Sequence, residues 1–79
     1  MTEPQTGDQH LTLGEALPKE MARVRDEVLP HYLDPMLKGA GMFAATMMRA
    51  DLDRAAKAMI EGDLPAMIAV YESLKGYST

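Results

Sequence analysis

Glu27, His31 and Asp34 are spaced so that a helix would place an imidazole between two carboxylates on one face. That arrangement suits a divalent metal or an acid–base pair. Pro30 stands between them and favours a break in the helix, which reads the three as a solvated polar face. His10, the other histidine, falls in a polar stretch near the N-terminus. Ser73 and Ser78 lie close to the C-terminus with no histidine beside them and no Gly-Xaa-Ser-Xaa-Gly elbow. Gly39-Ala40-Gly41 has neither the spacing nor the preceding strand of a nucleotide-binding loop. Met42, Met47 and Met48 carry thioethers of the kind Cu(I) prefers, but Met47 and Met48 point in different directions on a helix. The sequence therefore predicts no catalytic residue, no cofactor and no metal site.

The composition points instead to packing and binding. Eight Met stand among 79 residues that include no Cys, no Trp and a single Phe. Methionine is unbranched and polarisable, so a helix face built from it adapts to irregular partners. Against 8 Lys and Arg stand 12 Asp and Glu, a net charge of −4 that offers no basic stripe for phosphates. Lys38, Arg49, Arg54, Lys57 and Lys75 are scattered or interleaved with acids, so direct binding of nucleic acid is not expected. Arg23 with Glu27 and Asp53 with Lys57 have the i,i+4 spacing of neutralising pairs, which argues against an acidic mimic of nucleic acid. No apolar run approaches the 18 or so residues of a membrane span, and the first residues lack a signal peptide's basic start. A soluble, cytoplasmic protein with no membrane contact is the expectation. A core this small, with no disulfide available, makes self-association the obvious additional source of stability.

Periodicity predicts an all-α fold of one domain, residues 12–79, behind a disordered arm at 1–11. Thr12 and Glu15 have capping-box spacing, but Pro18 reads better in the first turn of a helix that runs over about 17–29 with Leu17, Met21, Val24 and Val28 as its apolar stripe. Pro30 and Asp34-Pro35 predict that this helix stops or kinks near Leu29, with at most a short continuation through Tyr32, and Gly39-Ala40-Gly41 supplies a corner. A second helix is expected over about 42–61, with Ala45 (or Ala44), Met48, Leu52, Ala55 and Met59 facing inward. Beside that stripe runs another, Phe43, Met47 and Ala50, which turns polar at Arg54 and Lys57. Gly62-Asp63 reads as a stop and restart. A third helix over about 64–75 would bury Leu64, Met67, Ile68, Tyr71 and Leu74 and end at Gly76. The second and third helices should form an antiparallel hairpin, crossed by the first.

Gly62-Asp63-Leu64 with Met67, Tyr71 and Leu74 resembles the turn and second helix of a tetratricopeptide repeat, departing where that repeat has Ala, at Met67 and Leu74. One repeat cannot build a solenoid, so the likeness amounts to a helical hairpin. Leu17-Pro18, Glu20, Arg23, Val24 and Arg25, then Met48, Leu52, Ala55, Ala58, Gly62-Asp63, Met67, Tyr71 and Leu74-Lys75 resemble a set of short, uncharacterised bacterial and prophage-borne helical proteins, over roughly residues 13–77. That resemblance implies a mobile-element accessory protein, including inhibitors of the anti-CRISPR kind, and assigns no site residue. The functional expectation is a non-catalytic interaction protein that presents Met42, Phe43, Met47 and Ala50 to a protein partner or to a second copy of itself. The alternative is a structural or assembly role as an obligate homo-oligomer.

Overall fold

The computed structural model describes residues 12–79, and the expected N-terminal arm at 1–11 lies outside the described residues. The fold is all-α, with no strand among the described residues. A first rod runs without interruption through α1 (Leu13–Arg23), a π-helical segment (Val24–Val28) and α2 (Leu29–Tyr32). A 3₁₀ turn (Pro35–Leu37) leads into α3 (Met42–Glu61), and α4 (Leu64–Lys75) follows after Gly62-Asp63.

α1 begins at Leu13, four residues before the expected start at Leu17, because the capping box forms. The Thr12 hydroxyl accepts from the Glu15 amide at 3.2 Å, and the Glu15 carboxylate accepts from the Thr12 amide at 3.0 Å. The Thr12 amide and hydroxyl together hold the Glu15 carboxyl below its ordinary value. Pro18 consequently sits inside the helix, and the carbonyl it leaves unpaired four residues back belongs to Gly14, an exposed residue whose peptide can meet water.

Pro30 does not stop the rod. The turn immediately before it widens to the i→i+5 pattern, with the Leu29 amide donating to the Val24 carbonyl. A wider turn gives the proline ring room against the preceding carbonyls and uses fewer amides. It also brings the consecutive residues Val28 and Leu29 both into the core. The rod then ends at Leu33, as short a continuation past Pro30 as the sequence implies.

The core is drawn from all three rods. Leu17, Val24, Val28 and Leu29 come from the first, Ala45, Met48, Ala55 and Ala58 from α3, and Met67, Val70 and Leu74 from α4. Three alanines on α3 keep its inner face low, which allows close approach by the neighbouring rods. The most extensive contact is that of α4 on α3, and α1 packs on both. Arg23 fastens the first rod to α4: its Nη2 donates to the Leu74 carbonyl at 3.0 Å while Nε donates to Glu20 at 3.1 Å. The expected pair Arg23–Glu27 does not form, because Arg23 is held by Glu20 and the end of α4, and Asp53 and Lys57 are exposed and not paired with each other.

Two stripes are rotated from their expected positions. On α3, Asp51 and Ala58 are buried while Leu52 and Met59 are only half covered. On α4, Val70 takes the place inside, and Leu64 and Ile68 are exposed. α4 is apolar around most of its circumference, so periodicity alone admits either face, and its packing against α3 and α1 buries Met67, Val70 and Leu74.

Gly62 ends α3 with φ +66°, and Asp63 accepts from the Ala66 amide at 3.2 Å to start α4. Gly41 serves a different purpose. It is buried where α3 begins against the end of the first rod, and a Cβ there would run into the Tyr32 carbonyl oxygen and lie 3.0 Å from its carbon. Gly41→Ala is therefore expected to lower the unfolding free energy by about 1–3 kcal/mol. Gly14→Ala, whose added Cβ meets nothing closer than Thr12 Oγ1 at 3.8 Å, should raise it by about 0.5–1 kcal/mol. Urea denaturation of the two variants against the natural chain measures both signs.

Candidate functional site

The outer surface of α3 carries the residues expected to meet a partner. Phe43, Met47 and Ala50 recur at steps of four and three, which align them along one side of a helix, and Met42 lies at its edge. Phe43 is 79% exposed, Met42 47% and Met47 45%, and Ala50 is also exposed. In the turn ahead of α3, Met36 is 83% exposed. The large side chains on this stretch are therefore spared from the core, which α3 builds from Ala45, Met48, Ala55 and Ala58 on its other side.

The same stripe continues as Arg54 and Lys57, again at steps of four and three. One exposed face of α3 thus runs from apolar at its N-terminal half to cationic at its C-terminal half. Beyond it, Arg54, Lys57, Ala58, Glu61, Asp63 and Ala66 line an open depression of about 260 Å³ where α3 meets α4. Its charged groups are of both signs and Arg54 is already engaged, so it offers no concentrated charge to a ligand.

Asp51 is the functional-looking residue that periodicity did not single out. It is 4% exposed, on the inner side of α3 between Met48 and Ala55. A buried carboxylate is costly unless its lone pairs are taken up. Tyr77 donates its hydroxyl to Asp51 Oδ2 at 2.7 Å, and Arg54, one helical turn on, pairs with Oδ1. No buried side-chain polar atom among the described residues is left without a partner. The signal was present in the sequence as an acid at core register, three residues after Met48 and four before Ala55. Its partner Tyr77 comes from beyond the end of α4 and is held in place. A buried acid can be catalytic, but here both oxygens are committed to structural donors, and Asp51 does not line the depression between α3 and α4.

Glu27, His31 and Asp34 do not assemble. All three are exposed, and Asp34 turns its carboxylate back to the Met36 amide at 2.9 Å. No group of three metal-binding side chains occurs among the described residues. No helix among them is long and apolar enough to cross a membrane. The chain matches no protein-family model, no curated protein and no solved structure.

Burial, followed by the hydrogen bond to Asp51, pushes the Tyr77 hydroxyl up to about 12. The folded chain thus holds this proton more tightly than the unfolded chain, in which tyrosine titrates near 10. Its contribution to stability is complete below pH 10 and is lost as pH rises from about 10 to about 12. Tyr77→Phe should cost about 1–3 kcal/mol at neutral pH, because one Asp51 oxygen loses its donor. Denaturant titrations should also show a shallower loss of stability in that variant across the same alkaline window.

Proposed function

We propose that the protein is a non-catalytic, cytoplasmic protein-interaction module whose contact surface is the outer face of the N-terminal half of α3. The observation that carries this reading is the exposure of Phe43, the chain's single phenylalanine, together with Met42, Met47 and Ala50 on a well-formed helix. An exposed apolar cluster on a helix supplies the anchors of helix-on-helix recognition, and methionine lets such a face adjust to its partner. The geometry favours this over catalysis because the ionisable groups are either dispersed in solvent or consumed by structure, as at Asp51. The resemblance to short prophage-borne proteins makes a host protein, bound and inhibited, one version of the partner. A second copy of the chain is the other.

A double change, Phe43→Glu with Met47→Lys, tests the reading. Both residues are outside the core, so the helical circular dichroism should be unchanged. An apolar fluorescent dye and light scattering are then followed across a hundredfold dilution. At the dilute end the natural chain should take up more dye than the variant, and any mass above the monomer should be seen only in the natural chain. Equal dye uptake and equal mass at every concentration would exclude this face as a binding surface.

A further inference from the structure

We propose that a second copy of this chain covers the face, through antiparallel pairing of the two α3 helices about a two-fold axis at Met47, with Phe43 of each copy seated on Ala50 of the other. The inference rests on the interaction-face reading and adds its occupant and register.

Along the exposed stripe the residues are Phe43, Met47 and Ala50: large, medium, small. Reversed against itself, as a two-fold axis requires, the series sets large against small at both ends and medium against medium at the centre. With a rise of about 1.5 Å per residue, Phe43 and Ala50 are separated by about 10.5 Å along the helix, and Met47 lies within about 1 Å of their midpoint. The three positions therefore meet their counterparts in one pairing with no residue out of register. Ala50 lets the helices close up, and the adaptable thioether of Met47 fills the centre against its own copy.

The exposed area agrees with this. Met42, Phe43, Met47 and Ala50 together expose on the order of 400 Å² of mostly apolar surface per copy, about 800 Å² for two. Thr46, Arg49 and Asp53, all exposed beside the stripe, bring the total towards the roughly 1,200 Å² at which specific interfaces begin. Arg54 and Lys57 continue the stripe and are carried towards the positive N-terminal end of the partner's α3; the charge of Arg54 is matched by Asp51, and Lys57 lies two turns beyond Ala50, outside the Phe43-to-Ala50 contact. The other exposed large apolar residues are Ile60 at the end of α3 and Leu64 and Ile68 on α4; on α4 the position corresponding to Ala50 is Tyr71, so that face cannot pair with itself in this way.

The size series makes a compensating exchange possible. Phe43→Ala leaves a cavity at each end of the pairing and Ala50→Phe sets ring against ring, so each alone should weaken the dimer by about tenfold or more. The double exchange restores large against small and should return the dissociation constant to within about threefold of the natural chain. Sedimentation equilibrium reads all four proteins. Because the chain has no cysteine, Met47→Cys can be coupled by a short bis-maleimide and compared with Ile68→Cys, and the former should give the covalent dimer much the faster. Failure of the double exchange to rescue, or equal coupling at 47 and 68, overturns the pairing. A natural chain that stays monomeric to millimolar concentration also overturns it. In that case, dye uptake that depends on Phe43 leaves the interaction face standing, and its absence removes both.

Discussion

A carboxylate inside a core of eleven apolar residues sets the terms for the rest of this fold. Asp51 cannot be left dry and unpaired, and one donor from its own helix does not satisfy two oxygens. The second donor has to be brought from elsewhere, and it comes from Tyr77, past the end of α4. The chain must double back from Gly62 far enough for that tyrosine to reach the middle of α3. Once it does, the next residue is close enough for Tyr32 to donate its hydroxyl to the Ser78 carbonyl at 2.9 Å. The end of the first rod, the middle of α3 and the C-terminal residues are thereby joined by polar contacts of defined direction, where apolar packing alone would tolerate sliding. Arg23 adds a further point of attachment at Leu74. With the polar groups spent inward, the outer face of α3 is free to be apolar without being needed for the fold.

The methionine content resolves by position. Met48 and Met67 are buried, Met21 and Met59 sit at the edge of the core, and Met36, Met42 and Met47 are exposed. The same residue type thus fills gaps between small alanines on one side of α3 and forms an adjustable surface on the other. Composition alone could not separate these uses, because both demand an apolar, flexible side chain.

How much was legible follows the same logic. The stripe of Leu17, Val24 and Val28, the glycine stop at Gly62 and the aspartate cap at Asp63 could be read because each rests on contacts within one or two helical turns. The start of α1 differs from the sequence expectation because a capping box at Thr12 and a proline at Pro18 favour different first turns. The box wins where the freed carbonyl is exposed. The inward faces of α3 and α4 differ from the periodic reading because their selection depends on partners far away in sequence: Tyr77 for Asp51, and the first rod for α4. The apolar stripe at Phe43, Met47 and Ala50 was visible as a second series beside the first. That it stays uncovered by this chain's described residues is a property of where the other rods dock.

The π turn ahead of Pro30 has a consequence for how this sequence can vary. An ordinary helix that loses one residue turns everything after it by about 100°, carrying buried side chains into water. A π turn is a helix that already holds one residue more than its turn needs. Between Arg23 and Leu29 the chain could shorten by one and leave Tyr32 pointing much as before, still able to reach the C-terminal residues. Pro30 stands against that loss, since a tighter turn would press its ring on the carbonyl behind. Length and composition are therefore tied together in this segment: a shortened relative should have exchanged its proline as well.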